Sequence, residues 1–241
     1  MTMLLVHGAW HGAWCWNGLT PLLEAAGVRV VAPDLPGHGA DATPRNEVTM
    51  DAYADRVIDA MADVDGPVTL VGHSMGGMVI SAVAERAPER IARLVYVCAF
   101  LPRDGEVLGQ LGAEDTGSDL NPIIGAGPEP GTLSVDPARA TGVFYQDCAS
   151  AGAEAAIAQL TPQPIAPLQA PVALSAERFG RCPRDYVLCT NDAAVTPAMQ
   201  RTLIERSPCE RVVEFASGHS PFMARPDALA DVLLNLYGPP A

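Results

Sequence analysis

The sequence predicts an α/β protein: a mostly parallel sheet of about six strands, covered by helices on both faces, with a cap inserted over the strand tips. Three observations carry that expectation. Short apolar runs alternate with helix-compatible segments through both ends of the chain. The runs are nearly continuous in apolar character, as expected of strands buried on both faces. One of them leads into Gly72-His73-Ser74-Met75-Gly76, a Gly-x-Ser-x-Gly turn between a strand and a helix.

The predicted strands are 3–6, 28–32, 68–71, 94–97, 186–189 and 212–215. The predicted helices are 17–26, 50–63, 76–86, 197–206 and 221–236. Thr196-Pro197 is a strong helix start, a threonine cap followed by proline at the first helical position, and Ser220-Pro221 repeats the pattern. The alternation fails between 101 and 180, a stretch rich in Gly, Pro and Ala. Here Asp136-Pro137 opens a helical segment running to Ser150, with a further helical piece at 153–160. Phe144, Tyr145, Ile157 and Leu160 supply apolar anchors, so this stretch reads as a folded cap at 101–180 on a core formed by 1–100 and 181–241.

The tight turn at Ser74 explains its glycines. A serine exposed at a strand tip leaves no room for Cβ atoms at Gly72 and Gly76. The helix that follows points amides at the reaction centre, where they can hold an oxyanion. A serine nucleophile needs a base, and the base needs an orienting acid. All five histidines stand beside glycine, and only His219 lies after Ser74, at the tip of the last strand. It is the candidate base. Asp192, at the tip of the preceding strand, is the candidate acid; Asp104 is the runner-up and Asp147 a weaker one. Asp185, at the opposite end of its strand, reads as a solvated strand-start residue. The oxyanion donors are assigned to the backbone N–H groups of Met75 and of Ala9, in the loop after the first strand. His7, His11 and His38 read as loop-bracing residues. Gly8, Trp10, Phe144 and Phe222 are the candidate walls of a substrate pocket.

A formal charge of -13 over 241 residues disfavours nucleic acid and anionic membrane surfaces as partners. The chain has no lysine, which excludes Schiff-base catalysis. No apolar run approaches membrane-spanning length, and no targeting segment is visible. The six cysteines show no zinc-like or C-x-x-C spacing and are expected to be reduced, in a cytoplasmic protein. Cys15 stands near the candidate site. No metal or organic cofactor is implied. The expected partner is a small-molecule ester, and a homodimer is the one macromolecular association left open.

The segments His7-Gly8-Ala9-Trp10-His11-Gly12-Ala13-Trp14-Cys15-Trp16, Gly72-His73-Ser74-Met75-Gly76-Gly77, Thr190-Asn191-Asp192 and Gly218-His219-Ser220-Pro221-Phe222 resemble the α/β-hydrolase superfamily. They are most similar to its branch of plant methyl esterases, α-hydroxynitrile lyases and bacterial esterase relatives. The resemblance implies the α/β-hydrolase fold and a Ser-His-Asp triad. It also speaks to the reaction. Lyases of the branch carry a threonine after the first histidine and a lysine after the catalytic one. The matching positions here are Gly8 and Ser220, which favours ester hydrolysis. The expected function is therefore hydrolysis of small to medium neutral carboxylic esters through an acyl-enzyme. The alternatives are lyase, carbon–carbon hydrolase or cyclase chemistry on the same triad, and a non-catalytic binding module.

Overall fold

The computed structural model describes residues 2–237. Nine strands and ten α-helices follow one another among these residues. They run β1 Thr2–Val6, α1 Thr20–Ala25, β2 Arg29–Val31, α2 Met50–Ala60, β3 Val68–His73, α3 Gly76–Arg86, β4 Ile91–Val97 and α4 Leu108–Glu114. The chain continues with β5 Ile124–Ala126, β6 Thr132–Val135, α5 Pro137–Phe144, α6 Ser150–Ile157, β7 Gln163–Pro164 and α7 Ile165–Gln169. It ends with β8 Arg184–Cys189, α8 Pro197–Arg206, β9 Arg211–Phe215, α9 Pro221–Ala224 and α10 Pro226–Tyr237.

Six strands form one parallel sheet in the order β2-β1-β3-β4-β8-β9. Successive side chains of a strand point to opposite faces, and here they feed two separate cores. Leu4, Val6, Leu70, Leu94, Tyr96, Tyr186 and Leu188 pack with α2, α3 and α8. Met3, Leu5, Val71, Val95, Val97, Val187 and Cys189 pack with Trp16, α1 and α10 on the other face. The four central strands are buried on both faces as expected, but the edge strands β2 and β9 are only partly covered.

All six predicted strands are present. Two helix expectations are corrected. The segment 221–236 is broken at Arg225, because Pro226 cannot continue α9 and instead starts α10. Ser220 caps nothing with its side chain, whereas Thr196 accepts from the Met199 N–H at 3.1 Å. Asp136 does cap α5, by accepting from the Ala138 N–H, yet that helix stops at Phe144 rather than running to Ser150.

Between β4 and β8 the chain makes α4 to α7 and a three-stranded antiparallel sheet, β5-β6-β7. The sequence predicts no such sheet, since its strands are two to four residues long and interrupted by glycine and proline. The order of the large sheet reverses between β1 and β3. In open α/β sheets that reversal opens a crevice at the carboxyl ends of the strands. The loops after β1 and β3 are the ones that carry Ala9 and Ser74.

Candidate active site

Ser74 follows β3 directly and has φ of 54°, a left-handed conformation unfavourable for a residue with a side chain. The surrounding turn holds it there. The Ser74 N–H donates to Val97 O at 3.3 Å, and its carbonyl accepts from the N–H groups of Gly77 and Phe100, both at 3.1 Å. A Cβ at Gly76 would stand 2.5 Å from Val6 O, so α3 can approach β1 only without a side chain there. A Cβ at Gly8 would meet Ser74 Cβ at 2.8 Å, which shows how closely the loop after β1 passes the serine.

A cavity of about 480 Å³ opens over the Ser74 side chain. Ala9, Trp10 and Met75 line it beside the serine, and Phe100, Leu108 and Leu133 are among its apolar walls. The N–H groups of Ala9 and Met75 find no protein acceptor among the described residues. Among the described residues no cationic side chain lines the cavity, and the one charged lining residue is Asp115, which accepts from Thr196 N and Oγ1 at 2.8 and 2.7 Å. Of the four expected walls only Trp10 lines the cavity; Gly8, Phe144 and Phe222 are not among the lining residues. Phe144 packs between Trp10 and His219, and Phe222 is fully buried against Trp16 and His73.

His219 follows β9, and Asp192 follows β8. Their side chains meet, with Nδ1 of His219 2.8 Å from Oδ2 of Asp192. Oδ1 of Asp192 accepts from the N–H groups of Ala194 and Val195 at 2.7 and 2.9 Å. A carboxylate in such a bond fixes the proton on Nδ1 and leaves Nε2 as a free base. Ser74 Oγ makes no hydrogen bond among the described residues.

The other acids have different work. Asp147 Oδ2 accepts from Ser217 Oγ at 2.9 Å and from the Gly218 N–H at 2.6 Å, so it fastens the histidine loop rather than the imidazole. Asp104 is exposed and accepts from the Leu174 N–H. Asp185 is not solvated. It is fully buried, paired with Arg93 at 3.0 Å and with Arg211 at 2.6 Å. Those arginines come from the neighbouring strands β4 and β9, so the pairing arises only when the sheet assembles.

The remaining histidines are buried and kept neutral. Burial lowers the His7 pKa to about 4 and that of His11 to about 3, and it depresses His38 and His73 as well. His7 donates from Nδ1 to Gly8 O at 2.8 Å and accepts the Leu35 N–H on Nε2 at 3.0 Å. His38 pairs with the Tyr53 hydroxyl at 2.9 Å. Cys15 is buried with its thiol pKa raised, first by desolvation and then by Asp34. All six cysteines are free thiols.

Two contributors escape sequence reasoning. Gln200, fully buried on α8, donates to Val195 O and to Cys189 O and approaches Asp192 Oδ2 at 3.4 Å. A glutamine on the inward face of an otherwise amphipathic helix, eight residues after the candidate acid, was its only signal. His73 donates from Nε2 to the His219 carbonyl at 2.8 Å, and Cys98 Sγ lies 3.5 Å from the same oxygen. That shared acceptor accounts for the clustering of His73, Cys98 and His219.

The sequence matches the Alpha/beta hydrolase family over residues 3–232. It is 32% identical to putative methylesterase 14, chloroplastic, of Arabidopsis thaliana over 97% of this chain and 71% of that protein. Polyneuridine aldehyde esterase superposes with a TM-score of 0.88 at 27% identity, over 98% of this chain and 99% of that one. A pyrethroid hydrolase from Sphingobium faniae does so with a TM-score of 0.87 at 29% identity, over 98% and 96%. With the sheet order, the elbow at Ser74 and these similarities in view, the chain belongs to the alpha/beta hydrolase family, in the esterase-type branch that holds the plant methylesterases and bacterial pyrethroid hydrolase relatives.

Proposed function

We propose that the protein hydrolyses small to medium neutral carboxylic esters through an acyl-enzyme on Ser74, with His219 as base and Asp192 as the orienting acid. The observation that carries this reading is the convergence on one apolar cavity of a strained serine and two unengaged amides, Ala9 and Met75. Ser74 Oγ attacks the ester carbonyl while His219 Nε2 takes its proton. The carbonyl oxygen becomes an anion held by the two N–H groups, each contributing on the order of 10²-fold or more in rate. His219 returns the proton to the departing alcohol. Water then repeats the sequence on the acyl-enzyme and releases the acid.

The cavity supports the substrate class. It offers apolar walls, a volume of about 480 Å³ and no cation to pair with an anionic group. The names of the relatives, methylesterase and esterase, agree with an ester. Positions 8 and 220 support hydrolysis over the cyanohydrin-lyase alternative, because Gly8 has no side chain to donate a hydrogen bond and Ser220 carries no charge.

The test is turnover of a chain-length series of p-nitrophenyl esters, and of the matching methyl esters, by wild type and Ser74→Ala. Wild-type hydrolysis that falls to background on substitution supports the reading. Absence of wild-type turnover, or turnover that survives Ser74→Ala, overturns it in favour of chemistry without an acyl-enzyme or a binding role.

A further inference from the structure

We propose that Tyr145 and His11 are positioning residues for the oxyanion donor at Ala9, acting through a hydrogen-bond relay that runs from the Tyr145 hydroxyl through the His11 imidazole to the Ala9 carbonyl. The proposal rests on the reading of Ala9 N–H as an oxyanion donor.

The direction of the relay follows from the chemistry of its ends. His11 Nδ1 lies 2.8 Å from Ala9 O, and a carbonyl can only accept, so Nδ1 carries the proton. Nε2 is then a bare lone pair, and the Tyr145 hydroxyl 2.8 Å away must donate to it. Every polar atom of this buried ring is engaged, and burial keeps it neutral. Without the hydroxyl, Nε2 would be a buried acceptor with no partner. The ring could then relax only by moving its proton or turning, and either releases the Ala9 carbonyl.

The backbone at this point needs holding. Trp10, the next residue, has φ of 60°, a left-handed conformation unfavourable for a residue with a side chain. Such a residue persists only where its surroundings over-determine it. Its carbonyl accepts from the Thr161 N–H at 2.9 Å, and its indole Nε1 donates to Leu133 O at 3.1 Å. Leu133, Tyr145 and Thr161 all belong to the segment between β4 and β8. On the other side of Ala9, the Gly8 carbonyl is held by His7. Both peptide planes flanking Ala9 are thus pinned, one from the core and one from the insertion. The insertion does more than wall the cavity: it sets the orientation of the loop that would meet the transition state.

The experiment uses the full chain and four variants, Tyr145→Phe, His11→Asn, the double variant and Ser74→Ala. The readouts are kcat and KM for p-nitrophenyl butyrate and the inhibition constant of phenylboronic acid, whose tetrahedral adduct on Ser74 places an oxygen where the oxyanion forms. Tyr145→Phe deletes one oxygen atom and keeps the ring packing. It is expected to lower kcat roughly tenfold, to leave KM within about twofold and to weaken the boronic acid in parallel with kcat. His11→Asn keeps a donor in the place of Nδ1 and is expected to retain most of the activity. In that background Tyr145→Phe should have no further effect, since the asparagine holds the Ala9 carbonyl without needing the Tyr145 hydroxyl. The relay is overturned if Tyr145→Phe lowers the melting temperature while kcat and boronic acid affinity hold, or if the two substitutions multiply. Wild-type turnover that is absent or insensitive to Ser74→Ala overturns instead the esterase reading, and the relay with it.

Discussion

Both carboxylate oxygens of Asp192 are engaged, Oδ1 by two backbone amides and Oδ2 by His219 with Gln200 beyond it. An asparagine fits the same space but can present an N–H to His219, which would then hold the wrong tautomer. Asp192→Asn is expected to lower kcat about 10³- to 10⁴-fold in the p-nitrophenyl ester assay. Asp104→Asn, which alters only an exposed tie to Leu174, should stay within about twofold of wild type. Comparable losses in both would reassign the acid. Ser74, His219 and Asp192 could be proposed from the sequence because each stands at the end of an apolar run, in a chain order that leaves one histidine available. The contacts of Gln200 and His73, and the relay proposed through Tyr145, could not be, because they are made by partners brought near only by folding. His73 meets a carbonyl 146 residues away, and Tyr145 an imidazole 134 residues away. Asp185 misled for the same reason: nothing next to it in the chain announces Arg93 or Arg211.

Among the elements, α3 shows how closely neighbours can constrain a sequence. A Cβ at Gly77 would lie 2.1 Å from Phe100 O, so Gly77→Ala must push the helix off the loop after β4. It is expected to destabilise the fold by about 1–3 kcal/mol, read as a lower urea midpoint. Gly142, exposed on α5 with nothing within 4 Å of its Cβ, is the opposite case. Gly142→Ala should stabilise by about 0.5–1 kcal/mol, because it removes unfolded-state entropy and meets no obstacle. A reversed order of the two midpoints would contradict the packing described. The strands of the large sheet were legible because buried parallel strands are apolar on both faces and need no partner to be recognised. The strands β5 to β7 were not. Their pairing depends on register between segments as short as two residues, and glycine and proline disguise them as loop. Pro226 was visible, but a single helix was read through it.

At the scale of the molecule, four buried histidines make acid a general threat to the fold. Each has a folded-state pKa depressed from 6.5, to about 4 for His7 and about 3 for His11, chiefly by burial. The unfolded chain therefore binds more protons than the folded one below that value. Their contribution is full above pH 6.5 and is lost progressively as pH falls below it, down to about 4 for His7 and about 3 for His11. The urea midpoint is expected to drop steeply between pH 7 and pH 5, a window that is above the ordinary range of carboxylates. A flat midpoint across that window would show that these rings are protonated in the folded state. The cavity without a cation has a further consequence for a protein of formal charge -13. A neutral ester enters at little electrostatic cost, but the acid made from it ionises beside Asp115 with no countercharge, inside a negative field. For the proposed reaction entry and exit are then unequal, favouring the ester over the carboxylate, so butyrate should be a poor inhibitor even when it accumulates.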